Sequence, residues 1–443
     1  MRTSSNFWVV RASVLAWLTV SPTLRSAELN PKSTWRHDPP IVTYYHGPGG
    51  AGGRWGPLTP GMAKKLADGG FTVAWGSTVK DLDVAHAHNL RVRFEVGDLM
   101  NTDAWDEPGR KAAIDTLIDR VKDHPAMYLY SLADEPSAKK FPLLGRIVAY
   151  LRQRDPRHAV HINLFPTYAS ANALGTSGDT IEAYREHVQQ FVDIVKPDLI
   201  SYDHYNFRTT RDGGQYFLNL ALVREAALRG GVPFMNVVQA CSLSPTSRAP
   251  NGDESRFLAY TTLAYGGTGI AHFVYWPYSE FLGGISEYKD IEFNEERARA
   301  DALAPLTPLG ESLREIHPEF VAIARELLPL RSLGAFHLGV IPQGAVGPPP
   351  ELPVRIHPSV ACDETKGLLL GTFGAGHLPT HVLVVNLNYL RPVETTVIGS
   401  GPMETFTVAH GRWKPAPEGK RARIQLRAGG GALLRIQNTE DSK

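Results

Sequence analysis

Short apolar runs alternate with stretches of helical spacing from Ile41 to about Leu328. Ile41–His46, Phe71–Gly76, Arg91–Val96, Met127–Leu132, Ala159–Leu164, Asp198–Tyr202, Pro233–Gln239 and Gly269–Trp276 read as strands. Between them, Met62–Asp68, Asp81–His88, Glu107–Lys122, Phe141–Arg154, Ile181–Val195, Tyr216–Leu228 and Ser255–Tyr265 read as helices. In the third helix Ile114, Leu117, Ile118 and Val121 make one apolar face. Strands that are apolar on both faces belong to a buried parallel sheet. About eight strand–helix units of this kind predict a closed (β/α)8 barrel, with 38–329 as its domain. An open doubly wound sheet is the alternative, but eight regular units suit closure better.

Near Leu330 the pattern changes. Gly and Pro punctuate short β-prone runs, of which His381–Asn386, Thr395–Ile398, Arg423–Leu426 and Ala432–Ile436 read as strands. A small C-terminal all-β sandwich over 330–443 is expected. At the other end, Arg2 followed by the mostly apolar Phe7–Val20 and the small residues Ser26 and Ala27 reads as a signal peptide over 1–27. Arg11 interrupts that run, which is too short for a stable membrane span. A secreted or periplasmic protein is expected, with no membrane attachment beyond the export signal.

Composition narrows the function classes. Lys and Arg total 46 against 45 Asp and Glu, so no cationic excess exists to hold a nucleic acid. Cys241 and Cys362 lie far apart and support neither a disulfide framework nor a cysteine metal site.

Functional side chains of a β/α barrel gather at the C-terminal ends of its strands. The fourth strand ends in Asp134-Glu135-Pro136, with Ser137 where a helix N-cap would stand. Two readings compete: the carboxylates cap the following helix, or they are delivered to the barrel mouth. The other strand ends offer His46, Trp75, Asp98, Asn163, Asp203, His204, Tyr205, Gln239, Tyr275 and Trp276. Amides and carboxylates bond sugar hydroxyls, and aromatic rings stack on sugar faces. Glycoside hydrolysis needs two carboxyl groups, one of them protonated at neutral pH. Glu135 is the best acid, since burial and the neighbouring Asp134 or Asp203 would raise its pKa. No metal or other cofactor is expected. His86 and His88 are two apart on a helix and do not face one another, and His158 and His161 point to opposite faces of a strand. His46 and His204 with Asp98 are the remaining, unfavoured metal option. G-x-S-x-G is absent.

Leu132-Ala133-Asp134-Glu135-Pro136 resembles the Asn-Glu-Pro signature of clan A glycoside hydrolases, with Asp in place of Asn. Asp155-Pro156 through His161–Pro166, Pro197–Tyr205 and Leu263–Ile270 resemble β-galactosidase-like secreted barrel proteins. The resemblance implies a (β/α)8 hydrolase with Glu135 as acid/base and a carbohydrate substrate. It also implies a glutamate nucleophile at the end of the seventh strand, where this chain has Gln239. An amide cannot be that nucleophile. Asp203, with Asp98 in reserve, is then expected as nucleophile or base, unless the strand register differs or the site binds sugar without cleaving it. His46, Asp98, Asp134, Asn163, His204, Tyr205, Gln239, Tyr275 and Trp276 are the expected substrate contacts.

Overall fold

The computed structural model describes residues 32–50, 55–96, 104–277, 282–287, 294–357 and 367–437. The expected signal peptide, Asp98, Cys362 and the ring-bearing loop residues Tyr278, Phe281, Tyr288 and Phe293 lie outside them.

Eight parallel strands form the first sheet: β1 (Ile41–Tyr44), β2 (Val73–Gly76), β3 (Arg91–Glu95), β4 (Met127–Asp134), β5 (Ala159–Leu164), β6 (Ile200–His204), β7 (Phe234–Gln239) and β8 (Gly269–Phe273). Their order runs β1-β8-β7-β6-β5-β4-β3-β2. β1 pairs with β8 from Ile41↔Gly269 to Tyr44↔His272. Closure on the other side comes from Thr72, whose N–H donates to Val42 O at 3.0 Å and whose Oγ1 accepts from Val42 N at 2.9 Å. The sheet is therefore the closed barrel that the sequence pattern and the clan A resemblance predict.

Ten helices connect and follow these strands among the described residues. They are α1 (Pro60–Asp68), α2 (Val79–Ala87), α3 (Arg110–Val121), α4 (Phe141–Arg154), α5 (Ala171–Leu174), α6 (Thr180–Gln190), α7 (Tyr216–Gly230), α8 (Gly252–Ala264), α9 (Glu295–Leu303) and α10 (Pro308–Leu327). Local chemistry starts several of them. Thr78 and Asp81 make a reciprocal capping box on α2, and Asn251 and Glu254 make one on α8. After β8, α9 and α10 are separated by a break that holds Pro305, and Pro308 is the first residue of α10.

The C-terminal part is a sandwich. A six-stranded sheet is ordered β15 (Arg412–Pro415), β14 (Met403–Thr407), β17 (Gly431–Ile436), β12 (His381–Asn386), β11 (Leu368–Gly374), β9 (Arg331–Leu338). A three-stranded sheet is ordered β10 (Val354–Ile356), β13 (Val393–Gly399), β16 (Arg421–Leu426). The middle strands of the large sheet, β11 and β12, are buried on both faces. Leu369, Leu383, Val385 and Leu433 join the barrel's core, whereas Leu368, Leu370, Val382, Val384 and Leu434 join the core shared with the small sheet. Each such side chain contributes about 1.5–3 kcal/mol by leaving water. That double burial explains the unbroken apolar run in β12.

Candidate active site

The turn after β4 decides between the two readings of Asp134-Glu135. Ser137 is extended but caps only a 3-10 turn, Ala138–Lys140, and its hydroxyl makes no capping bond. The helix α4 starts later, at Phe141, without a side-chain cap. Asp134 and Glu135 therefore do not cap it. Instead Glu135 takes a left-handed φ of 44°, and its N–H donates to Asn163 O at 2.8 Å. A non-glycine residue held in that conformation stores strain, a feature that clusters at functional sites.

One amide organises the carboxylates. Asn163 Nδ2 donates to Asp134 Oδ1 at 3.1 Å and to Asp203 Oδ1 at 3.0 Å. Its Oδ1 accepts from Ser201 Oγ at 2.9 Å, which fixes the amide's orientation. Asp203 is 3% exposed and hydrogen-bonded to Glu135. Burial, then Glu135 and Asp134, push the Asp203 carboxyl well above the usual carboxylate range. Burial, then the charge of Asp134, raise Glu135 as well, while its hydrogen bond with Asp203 acts in the opposite direction. Asp134 is exposed and Glu135 half-buried, so these two face solvent while Asp203 lies behind them. Two carboxyls hydrogen-bonded to each other do not stand on either side of an anomeric carbon, as the paired carboxyls of a glycoside hydrolase do.

Beside this cluster the inner face of the barrel holds a cation that sequence reasoning passed over. Arg93 is buried, with its guanidinium 4.4 Å from the Tyr45 ring and 4.2 Å from the Trp75 ring. Nε donates to Ser131 Oγ at 3.1 Å and Nη2 to Glu95 at 3.4 Å. His161, also buried, stays neutral because burial and Arg93 both lower its pKa well below the ordinary histidine value.

The rim is aromatic. His46, at φ 48°, stacks on Trp55 with centroids 5.5 Å apart and meets Phe273 edge-on at 4.9 Å. Tyr205 lies 5.3 Å from Phe273. Its N–H donates to the hydroxyl of Tyr168, which is 43% exposed. The charges of Asp203 and Glu135 reach the Tyr168 hydroxyl and help raise its pKa, behind burial as the main cause. Trp55, Phe273 and Tyr168 were not on the sequence-derived roster. Phe273 was detectable, since it has the inward parity of its strand.

Four expected contacts are turned elsewhere. His204 faces the helices: Nδ1 bonds Asn219 Oδ1 at 2.9 Å, and burial lowers its pKa to about 4. Asn219 is itself held by Thr167 N and Tyr184. Gln239 is 1% exposed, and its amide is consumed by loop backbone. Oε1 accepts from Phe207 N at 2.9 Å, and Nε2 reaches the carbonyls of Phe207, Cys241 and Arg248 at 3.3, 3.1 and 2.6 Å. Tyr275 packs on Tyr44 and Phe71, and Trp276 is buried between Trp55 and Arg297. The structure thus brings together His46, Asp134, Glu135, Asn163, Asp203 and Tyr205 from the predicted set. Among the described residues no three His, Cys, Asp or Glu side chains are grouped to hold a metal ion.

No family model matches the chain, and no curated protein sequence does. Solved structures similar to it include a β-galactosidase from Bacillus circulans sp. alkalophilus, at 10% identity and TM-score 0.49 over 92% of this chain and 99% of that one. A catalytic mutant of a GH42 β-galactosidase from G. stearothermophilus matches at 8% identity and TM-score 0.49, over 93% and 100%. The β-galactosidase from the psychrophilic Marinomonas ef1 matches at 9% identity and TM-score 0.43, over 65% of this chain. The match spans 60% of that enzyme's length.

Proposed function

We propose that the chain is a glycoside hydrolase acting on an oligo- or polysaccharide, with Glu135 as general acid. The observation that carries this reading is the Glu135–Asp203 carboxyl pair at the foot of an aromatic rim. Like charges in contact resist joint ionisation, so the pair retains a proton where an isolated carboxyl would lose it. Glu135 is the member that reaches solvent and can protonate a glycosidic oxygen. Asp203 acts through Glu135 as a positioning residue. Asp134, exposed and oriented by Asn163, is the carboxylate available to stabilise positive charge developing at the anomeric carbon. His46, Tyr205 and Phe273 offer the stacking faces for a sugar. With its export-type N-terminus, the protein is read as secreted or periplasmic.

A second reading is a carbohydrate-binding barrel without turnover. Gln239 favours it, because an amide locked to loop backbone occupies the position of the clan's nucleophile. A panel of aryl glycosides and oligosaccharides, tested with wild type, Glu135→Gln and Asp134→Asn, separates the two. Under the first reading Glu135→Gln lowers turnover about 10²- to 10⁴-fold and retains binding. Wild-type turnover in Glu135→Gln sinks the acid assignment. Saturable binding with no turnover by wild type selects the second reading.

A further inference from the structure

A cleft of about 570 Å³ opens on the face of the barrel opposite the mouth, at the seam with the sandwich. It lies between the C-terminal ends of α7 and α10, the N-terminal ends of β7 and β8, and the start of β9. That volume is ordinary for a small-molecule site, and domain seams are common places for one. Phe234, Tyr265, Leu330 and Phe373 give it an apolar lining.

Two guanidinium groups share this space. Arg224 is held in place: Nε donates to Ser332 Oγ at 2.9 Å and Nη2 to Ser332 O at 3.2 Å. Arg331 comes from the first residue of β9 and is exposed. No carboxylate stands among the described residues that line the cleft, and neither arginine forms an ion pair with a described residue. Buried arginines elsewhere in the chain do, such as Arg152 with Asp198 at 3.2 Å. Burial lowers the Arg224 pKa, Tyr265 opposes this, and the nearby Arg331 lowers it further. The remaining basic group, His37, is neutral because burial lowers its pKa to about 4, and its Nδ1 meets Thr268 Oγ1 at 3.3 Å. Two like charges facing one cavity without a counter-charge are an unfavourable arrangement. An anion would relieve it through charge-assisted hydrogen bonds, which planar guanidinium forks make well.

We propose that this cleft binds a small organic anion, with its acidic group between Arg224 and Arg331 and its apolar body against Phe234 and Phe373. The acidic group can be a carboxylate or a phosphate, since both suit paired guanidinia. Titration calorimetry of the full chain with benzoate, phenyl phosphate and the uncharged benzyl alcohol tests this. At least one anion is expected to bind saturably and about tenfold or more tighter than benzyl alcohol, and whichever binds better identifies the acidic group. Arg331→Gln, at an exposed position that leaves the core intact, is expected to weaken that binding about tenfold, and Arg224→Gln at least as much. Anions that bind no tighter than benzyl alcohol would overturn the proposal. So would wild-type anion affinity in Arg331→Gln. The readout is binding away from Glu135, so it stands or falls independently of any glycosidase activity.

Discussion

The buried carboxyl of Asp203 is hydrogen-bonded to the half-buried carboxyl of Glu135, and its Oδ1 accepts from Asn163 Nδ2. The pair therefore titrates as a unit. Its last proton is held to higher pH than either carboxyl would hold alone, and turnover that needs that proton declines on the alkaline side as it leaves. Asp203→Asn keeps the hydrogen-bonding shape but removes one acid. The alkaline limb of the pH–rate profile is expected to move to lower pH in this variant. An unmoved limb would show that Asp203 does not act through Glu135.

The same substitution has a stability consequence with a definite sign. A carboxyl whose folded pKa is raised binds its proton more tightly in the native state. Its contribution is present below the unfolded value of about 3.9 and is lost as pH rises through the folded value. Asp203→Asn escapes that loss. Relative to wild type, it is expected to gain stability between about pH 4 and neutrality, measured as the urea midpoint at several pH values. A variant that loses ground over that interval would indicate an Asp203 ionised in the native state.

Gln239→Glu tests the departure from the clan pattern. The change supplies the missing carboxylate in composition only. Gln239 Nε2 reaches the carbonyl oxygens of Phe207, Cys241 and Arg248, and a carboxylate cannot donate to any of them. The buried charge would face three acceptors. A loss of about 3 kcal/mol or more in unfolding free energy is expected, with no gain in turnover. A stable variant with increased glycosidase activity would instead place position 239 in the chemistry.

The barrel was legible because its strands are continuous apolar runs separated by helices of regular spacing. Orientation at the strand ends was less legible, since gathering every polar residue there disregards the two-residue period of a strand. Ser201 and Asp203 meet Asn163 inside the barrel, so His204 necessarily faces the helices, where it finds Asn219. Parity would also have selected Arg93, which shares the inner face with Ser131. No such rule reveals Tyr168, which reaches the site from a loop. In the sandwich, β11 was passed over because Gly371 and Gly374 break its β-prone run, and β9 because Gly334 and His337 do. Packing between barrel and sandwich overrides those local signals.

His272 and His317 form a buried pin between β8 and α10, with their Nε2 atoms 2.9 Å apart. His317 Nδ1 donates to Gly69 O at 2.7 Å, so its Nε2 accepts and His272 donates. A second proton would set two donors against each other. Burial lowers His317 to about 4 and His272 further, the latter with a contribution from His317. An unfolded histidine titrates near 6.5, so the unfolded state binds more protons and stability falls as pH drops from about 6.5 toward 4. His317→Gln keeps an acceptor but does not titrate. Its urea midpoint is expected to depend on pH less steeply over that interval, by on the order of 3 kcal/mol at the acid end. Equal slopes for the two proteins would mean that the pin opens without cost.

Gly371 tests how tightly the sandwich is seated on the barrel. It lies in β11 against the C-terminal end of α8, and a Cβ there would stand 2.3 Å from Ala264 O and 2.7 Å from Ala264 Cα. Both obstacles are backbone, so neither can swing aside as a side chain would. A methyl group must push the six-stranded sheet away from α8 or distort the strand. Leu369, Leu383 and Val385 on that face would lose close packing with the barrel together. Gly371→Ala is therefore expected to cost on the order of 2 kcal/mol in unfolding free energy, against the few tenths that an open strand position would show. Because the strain falls on the seam and not on the mouth, turnover per folded molecule should be unchanged. A neutral effect on stability would show that the two domains separate by the width of a methyl group without loss, and that the sandwich is a loosely held appendage.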